Sequence, residues 1–436
     1  MPSDAWGAIG GGGCVRVNAV GAAASAPPAQ PGVPGTLRAE DLVRTPAGAL
    51  PREALLTTFV LDAAWVARLV GPRCRTTVVA DASAAPGAPQ RTLALTPRLR
   101  VVLAGGGSSG GSSSGSGSAS RGWQRLQHAK LAVLRFDDRV RVAVASANLT
   151  PGDWAAVGQC VWAADFARTD ALAVRGPLAD DLCAFLRALL PAARDALYWT
   201  SGYDTRTTRA RLVFSVPGVH AAPVAAPVAA AAAAAADGTG GEEVPAQAGL
   251  LRLRQLLGGA GALVPGSGAV RGCTMLVAGT SSLGVAHDAW LRAWPGATPH
   301  SALRIVYPTE REMDERAEGV FFCPARAARA AEPYLARLVW RDPQRAGLLS
   351  HAKMLFWLGG PDGTTPLAAY YGSANFSGAA WGAPLRDGTV RTNNYELGVL
   401  LVPEPGAGPA AATTLCPSPF VLPPPRYARS DVPYQT

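Results

Sequence analysis

Short apolar runs bounded by turn residues alternate along the chain with segments whose apolar positions recur at helical spacing. The clearest hairpin lies at 128–148, where two apolar runs flank an acidic turn at Asp137 and Asp138. The other elements predicted in the first half are a strand passing into a helix at 55–71, strands at 76–80, 98–104 and 212–218, and a helix at 178–199 interrupted near Pro191. Strands interleaved with helices in this way indicate an α/β fold.

The same pattern begins again after residue 246. It predicts helices at 250–258 and 287–294 and strands at 274–279, 303–308, 351–358, 368–375 and 395–402. A length of 436 residues suits two or three domains, so the chain divides into two α/β halves of comparable size.

Low-complexity segments set the expected domain boundaries. Residues 1–36 are rich in Gly, Ala and Pro and predict a disordered leader. An N-terminal domain is expected over 37–219, with a Gly/Ser-rich insertion at 105–120. An Ala/Pro/Gly-rich linker at 220–246 separates it from a C-terminal domain over 247–436.

Composition narrows the possible classes of protein. Apolar residues make up 48% of the chain and charged residues 16%, which favours a globular protein, and the net charge of +9 favours an anionic partner. No uninterrupted apolar run is long enough for a transmembrane helix, and the seven Cys residues are odd in number and widely spaced. We therefore expect neither a membrane protein nor a zinc ribbon nor a disulfide scaffold, and the Cys pattern favours a reducing compartment.

A polar motif occurs once in each half of the chain. The first copy consists of His128, Lys130, Ser146, Asn148 and Trp154. The second copy consists of His351, Lys353, Ser373, Asn375 and Trp381. Lysine follows histidine by two residues and tryptophan follows asparagine by six in both copies. A repeat of this kind at an offset of about 225 residues indicates two related structural units.

Lysine usage strengthens the significance of the repeat. Lys and Arg together number 40, and every one except Lys130 and Lys353 is Arg. Both lysines of the chain therefore follow a motif histidine. These two positions need a compact ammonium group with three donors and not a planar guanidinium.

The residue types of the motif suit one kind of chemistry. Residues i and i+2 of a strand point to the same face, about 7 Å apart, so each histidine and its lysine form a two-pronged polar surface. Two imidazoles supply a nucleophile and a general acid/base, while two ammonium groups and two asparagines stabilise negative charge on oxygen. This set fits cleavage of a phosphodiester. No Asp/Glu cluster suggests a metal, so neither a metal nor another cofactor is predicted.

The paired motifs resemble those of the phospholipase D superfamily. The usual member has an Asp five residues after the motif lysine, where this chain has Arg135 and Leu358. A motif asparagine preceded two residues earlier by serine is instead similar to the tyrosyl-DNA phosphodiesterase family (type 1). The other segments that carry this resemblance are 146–162, 303–319, 373–382 and 395–401.

The resemblance implies an α/β fold with two similar phospholipase D-like α-β-α sandwich halves that form one pseudo-twofold active-site cleft. It implies a metal-independent enzyme that removes 3′-phosphotyrosyl and other 3′-blocking adducts from DNA, in the repair of stalled topoisomerase complexes. His128 would be the nucleophile that becomes a phosphohistidine, and His351 the general acid that later activates water. The other residues to which it assigns catalytic roles are Lys130, Asn148, Gln159, Lys353, Asn375 and Glu396. Ser282 and Ser377 match positions that contact DNA.

Gln159 and Glu396 match the positions that orient the two histidines. A carboxylate stabilises a protonated imidazole, whereas an amide leaves an imidazole free to attack. We therefore expect Glu396 beside the acid and Gln159 beside the nucleophile.

Two other functions stay open. One is a phospholipase D-type lipid phosphodiesterase or a general nuclease, which the missing Asp disfavours. The other is a non-catalytic protein that binds DNA ends. The expected partner is a DNA 3′ end that carries a topoisomerase-derived tyrosyl peptide, and the protein is expected to be a nuclear monomer.

Overall fold

The structure is a computed structural model. The residues that it describes are 12–20, 34–86, 91–106, 125–170, 175–190, 196–221, 247–258, 268–284, 290–291, 294, 303–315, 331–360 and 363–435. Most of the predicted insertion at 105–120, almost all of the predicted linker at 220–246 and much of the predicted helix at 287–294 lie outside these residues.

Residues 12–170 contribute ten strands to the described structure. They are β1 (Cys14–Asn18), β2 (Gly35–Leu37), β3 (Glu53–Thr58), β4 (Arg75–Asp81), β5 (Thr92–Ala94), β6 (Leu99–Ala104), β7 (Leu126–Gln127), β8 (Leu131–Arg135), β9 (Arg139–Ala145) and β10 (Cys160–Ala167). All except β7 form one mixed sheet in the order β2-β1-β10-β9-β8-β3-β4-β6-β5.

The strands that follow form a second large sheet and a small one. They are β11 (Arg211–Ser215), β12 (Gly218–His220), β13 (Met275–Gly279), β14 (Leu303–Val306), β15 (Leu335–Ala336), β16 (Lys353–Gly359), β17 (Thr365–Gly372), β18 (Ala383–Pro384), β19 (Val390–Thr392) and β20 (Asn394–Leu401). The second large sheet has the order β11-β20-β17-β16-β13-β14-β15, and β7 pairs with β20. Strands β12, β19 and β18 form the small sheet.

Helices cover these sheets. They are α1 (Ala39–Leu42), α2 (Ala63–Val70), α3 (Pro151–Ala155), α4 (Pro177–Leu189), α5 (Gly249–Gly258), α6 (Glu310–Asp314), α7 (Gly378–Trp381) and α8 (Pro409–Leu415). Among the described helices, none has both the length and the apolar character needed to cross a membrane.

The two large sheets share a strand order. Strands β10-β9-β8-β3-β4-β6 of the first sheet correspond to β20-β17-β16-β13-β14-β15 of the second. In each series the first three pairings are antiparallel and the last two are parallel. The α/β class is thus visible in the topology, in which the two large sheets share this order of strands.

Both large sheets are buried on both faces, which explains why their strands are almost continuously apolar. In β8, Val133 packs into a core shared by the two sheets, while Leu134 packs into the outer core beneath α2. In β16, Phe356 enters the shared core and Trp357 enters the outer core of the second sheet. The shared core holds the sheets against each other, so side chains at their adjoining rims can meet.

Two of the expected boundaries are wrong. The leader predicted at 1–36 contains strand β1 and the start of β2, because Val15 and Val17 are buried and β1 pairs with both β10 and β2. The side chain of Asn18 donates to the carbonyls of Trp154 and Val157, which ties this segment to the first domain. The boundary at 219 is too late, since β11 pairs with β20 and belongs to the second sheet.

Candidate active site

The two copies of the motif meet because each is bonded to the opposite sheet. Strand β7 pairs in parallel with the start of β20, and the backbone N–H of His128 donates to Tyr395 O at 3.0 Å. In the other copy, the backbone N–H of His351 donates to Gly158 O at 2.8 Å. This exchange places both histidines at the junction between the sheets, with lysines two residues further along.

A buried carboxylate orients His128. Nδ1 of His128 lies 2.9 Å from Oε2 of Glu396, which is 1% exposed. Ser373 Oγ also donates to Oε2, and Asn394 Nδ2 donates to Oε1 at 2.9 Å. Burial by itself would raise the pKa of Glu396, but His128 and Lys130 reverse this and lower it, so the carboxylate is ionised. An ionised carboxylate only accepts, so the proton of His128 lies on Nδ1 and the lone pair of Nε2 is available.

An amide occupies the equivalent position beside His351. Nδ1 of His351 lies 3.3 Å from both Oε1 and Nε2 of Gln159. Ser146 Oγ donates to Gln159 Oε1 at 2.7 Å, and Gln159 Nε2 donates to Asp153 O at 3.2 Å. Burial, reinforced by the Lys353 ammonium, lowers the pKa of His351 well below its usual value. This imidazole is therefore neutral near pH 7 when the site holds no anion.

The expected pairing of the orienting residues is wrong, because Glu396 contacts His128 and Gln159 contacts His351. The parallel register of β7 with β20 places residue 128 beside residue 396, and the contact of His351 with Gly158 places residue 351 beside residue 159. The carboxylate thus stabilises one tautomer of His128. Burial still lowers the pKa of His128, because Glu396 opposes that effect only in part.

Both lysines are buried in the site. Lys130 is 2% exposed and its Nζ donates to His128 O at 2.7 Å. Lys353 is fully buried, and its Nζ lies 2.7 Å from His351 O and 2.8 Å from His351 Nε2. Burial lowers the pKa of Lys130 to about 8 and that of Lys353 well below its usual value, the latter also because the two ammonium groups repel each other. An anion between them would relieve this repulsion.

Asn148 is fixed at the end of β9 by its neighbours. Its backbone N–H and its Nδ2 donate to Asp153 Oδ2 at 2.8 and 3.1 Å, and its Oδ1 accepts from Val60 N at 3.3 Å. Trp154 Nε1 donates to Asn148 O at 3.1 Å, which gives the six-residue spacing of the first copy a structural reason.

Asn375 is fixed differently. Its Oδ1 accepts from Thr280 Oγ1 at 3.2 Å and from the backbone N–H and Oγ of Ser281 at 3.2 and 3.1 Å. These donors all bind the carbonyl end of the amide, so they direct Nδ2 away from themselves. The tryptophan of this copy, Trp381, is 1% exposed and belongs to the outer core of the second sheet.

Asp153 is the main residue of the site that sequence reasoning missed. Its Oδ2 accepts from Asn148 and from Gln159 Nε2 at 3.3 Å, and it lies 4.0 Å from His351 Nδ1. The second copy has Ala380 at the same distance after its asparagine, so comparison of the repeats gave no signal for Asp153. The motif serines did carry a signal, since both precede their asparagine by two residues.

Ser282 and Ser377 are expected to contact DNA, and the structure shows their contacts within the protein. Ser377 precedes α7 as its N-cap, with Oγ accepting from Ala380 N at 3.4 Å. Ser282 is partly exposed, and its carbonyl accepts from Thr280 Oγ1 at 2.8 Å. The DNA contact of both serines stays a prediction.

A cavity of about 290 Å³ adjoins the second copy of the motif. Ser350 and Ala352, the neighbours of His351, line it together with Thr280, and so does the charged side chain of Arg311. Within the described ranges, no three His, Cys, Asp or Glu residues lie close enough together to hold a metal ion.

The sequence and the fold were compared with those of known proteins. The sequence model of the tyrosyl-DNA phosphodiesterase family matches residues 25–428. The crystal structure of the yeast tyrosyl-DNA phosphodiesterase is similar in fold, with a TM-score of 0.63 and 14% identity over 98% of this chain and 100% of that chain. A histidine mutant of the yeast enzyme gives a TM-score of 0.62 and 14% identity over 92% of this chain and 96% of that one. No curated protein matches the chain in sequence.

Proposed function

The chain belongs to the tyrosyl-DNA phosphodiesterase family, and on that premise we propose that its paired motifs hydrolyse 3′-phosphotyrosyl and other 3′-blocking adducts on DNA by a two-step, metal-independent mechanism. The observation that carries this proposal is the exchange of partners between the sheets. Each imidazole is held through Nδ1 by a side chain from the opposite sheet, next to a buried lysine. Such a site can present Nε2 of His128 as a nucleophile and the imidazole of His351 as an acid to one phosphodiester.

In the first step, Nε2 of His128 attacks phosphorus with its lone pair. The bond from phosphorus to the tyrosyl oxygen breaks, and His351 in its protonated form transfers its proton to that oxygen. A phenol has a pKa of about 10, so it leaves more readily than an alcohol, and acid assistance of about 10²–10⁴-fold lowers the barrier further. The result is a covalent phosphohistidine at His128.

In the second step, His351 acts as the base. It accepts a proton from a water molecule whose oxygen attacks phosphorus, the bond from phosphorus to His128 Nε2 breaks, and a 3′-phosphate is released. The bound phosphodiester supplies the anion that the buried cations lack, which raises the pKa of His351 and allows it to carry the proton. Lys130, Lys353, Asn148 and Asn375 are assigned to the non-bridging oxygens.

The proposal extends to the organisation and setting of the protein. The shared strand order supports two halves related by a pseudo-twofold axis through the cleft. Ser282 and Ser377 are assigned to the DNA backbone beside the second copy. We place the protein in the nucleus as a monomer, where its substrate is a DNA 3′ end with a tyrosyl peptide from a stalled topoisomerase.

The first test measures release of tyrosine from a 3′-phosphotyrosyl oligonucleotide in EDTA. Wild-type protein is expected to turn over, and His128→Ala is expected to be inactive. The matched control is His220→Ala, since His220 binds Val216 O and Thr392 outside the site. Turnover by His128→Ala would remove the assigned nucleophile, and turnover of phosphatidylcholine without turnover of the oligonucleotide would favour a lipid phosphodiesterase.

The second test examines the covalent intermediate. His351→Asn keeps the nucleophile but removes the base of the second step, so a protein–DNA adduct should accumulate and survive denaturing electrophoresis. If the His351→Asn variant still releases tyrosine but forms no adduct, the two-step scheme is contradicted. Tight binding of DNA ends by wild-type protein without product would indicate a non-catalytic binding protein.

A further inference from the structure

A second cleft opens at the opposite rim of the first sheet from the active site. Its volume is about 400 Å³, and it lies where β3 and β4 begin and β8 ends. Strand β8 separates Lys130 from this rim, and five residues at about 3.3 Å each span ~17 Å. The arginines that line the cleft are Arg52, Arg73, Arg75, Arg98, Arg135 and Arg168.

The cleft concentrates positive charge. Its six arginines are accompanied by two lining carboxylates, Glu53 and Asp137, which leaves a formal charge of +4. The whole chain carries +9, so almost half of the excess lies around one opening. A concave surface of one charge focuses the electrostatic potential and attracts ions of the opposite charge.

The carboxylates pair with only three of the six arginines. Glu53 pairs with Arg75 and Arg135, and Asp137 pairs with Arg52. Among the described residues, no carboxylate lies within 4 Å of Arg73, Arg98 or Arg168, and all three are exposed. Nη1 of Arg98 donates to Arg73 O at 3.4 Å, but none of the three guanidinium groups is neutralised by a carboxylate of the described residues, and an exposed guanidinium can bind a phosphate through parallel hydrogen bonds.

An aromatic surface adjoins the charges. The guanidinium carbon of Arg135 lies 4.0 Å from the ring centre of Tyr198 and 5.7 Å from that of Tyr203. Tyr198 lines the cleft and is 42% exposed. Cations beside an exposed aromatic ring are the combination that binds nucleic-acid strands without sequence preference, by phosphate pairing and base stacking.

We propose that this arginine cleft is a second binding site for the phosphodiester backbone of DNA, separate from the catalytic pocket. The choice of DNA over another polyanion rests on the proposed function, which brings DNA to the protein. The backbone comes either from a distal part of the substrate strand or from a second DNA segment. In both cases the cleft increases affinity for long DNA without taking part in the chemistry.

The test uses the full chain with Arg73→Gln, Arg98→Gln and Arg168→Gln combined. The matched control removes the same charge at three exposed arginines outside the cleft, with Arg187→Gln, Arg271→Gln and Arg429→Gln. Each variant is assayed with a short 3′-phosphotyrosyl tetranucleotide and with a single strand of about 40 nucleotides. Binding of the long strand is measured from 50 to 400 mM salt.

The cleft variant should keep its kcat/KM on the tetranucleotide. Its affinity for the long strand should fall at least about 10-fold at low salt, and the slope of log K against log salt should become shallower by about 2, at ~0.7 per lost phosphate contact. If the distal part of the substrate strand is the ligand, the wild type and the cleft variant should differ only with the long substrate. If a second DNA segment is the ligand, they should also differ with the tetranucleotide when an unlabelled long strand is added in excess.

Equal affinities and salt slopes for the cleft variant, the control and the wild type would overturn the second site. So would equal losses in the cleft variant and the control, because they would reflect net charge only. Absence of tetranucleotide turnover in the wild type would instead contradict the proposed catalytic function, which keeps the two failures distinguishable.

Discussion

Replacing Glu396 by glutamine tests how the nucleophile is prepared. The carboxylate accepts three hydrogen bonds, from His128 Nδ1, Ser373 Oγ and Asn394 Nδ2. A glutamine of the same shape has one oxygen and an NH₂ group. If its oxygen keeps the bond from Asn394, its NH₂ faces His128 and favours the tautomer in which Nε2 carries the proton. That nitrogen then has no lone pair with which to attack phosphorus.

The expected loss follows from the tautomer and the charge together. Enforcing the wrong tautomer of a catalytic imidazole lowers kcat by up to about 10⁴-fold, and removal of the carboxylate also lowers the pKa of His128 further. We expect Glu396→Gln to reduce the rate of adduct formation by about 10²–10⁴-fold, which corresponds to ~3–5 kcal/mol in the activation free energy.

The assay is a single-turnover measurement of tyrosine release, in which enzyme is in excess over labelled 3′-phosphotyrosyl oligonucleotide. Binding of the substrate should change little, because Glu396 does not face the phosphate oxygens in the proposed mechanism. Ser373→Ala is the matched control, since it removes another hydrogen bond to Glu396 but keeps the carboxylate beside His128. A loss smaller than tenfold for a folded Glu396→Gln protein would refute this account of the nucleophile.

Three further results are expected. The kcat/KM of the wild type should decline as pH rises through the lowered pKa of His351, and the decline should steepen above about pH 8, where Lys130 also loses its proton; a profile that stays flat to pH 10 would contradict this. Burial lowers the pKa of Lys130 from 10.5 to about 8, so the buried ammonium destabilises the folded state below about pH 8. This contribution makes the free energy of unfolding rise as pH increases from about 8 to 10.5. Lys130→Met should therefore raise the free energy of unfolding at pH 7, by up to ~3 kcal/mol in a urea titration, whereas a decrease would show that its hydrogen bond to His128 O dominates. Gly398→Ala should lower the free energy of unfolding by about 1–3 kcal/mol, because the added Cβ would overlap the buried ring of Tyr370, and an unchanged melting temperature would contradict that packing.

The fold units could be predicted well where apolar runs are long and bounded by turns. Strands β8 and β9 lie within the predicted hairpin, and β16, β17 and β20 overlap their predicted segments, because the residues of these strands are buried on both faces of a sheet. Strand β1 was missed because its five residues lie within a Gly/Ala-rich segment, and only pairing with β10 makes it a strand. The membership of β11 in the second sheet was missed for a related reason, since its partner β20 is almost 200 residues away.

The candidate catalytic residues were found from the repeat. A histidine and a lysine at i and i+2, twice, with the only lysines of an arginine-rich chain, mark His128, Lys130, His351 and Lys353 without any structure. Asp153 could not be found in this way, because the second copy of the motif has no carboxylate at that position. The role of Asp153 depends on its contacts with Asn148, Gln159 and His351, which only the tertiary structure shows.

The amino-acid sequence by itself determined which residue types this protein brings to a phosphodiester, since spacing and repetition are properties of the chain. It also determined the family, because the motifs lie in sequence segments that the family shares. Only the tertiary structure decided which partner each histidine receives. The parallel pairing of β7 with β20 is a contact between opposite halves, and that register places the carboxylate of Glu396 beside His128 and leaves Gln159 for His351.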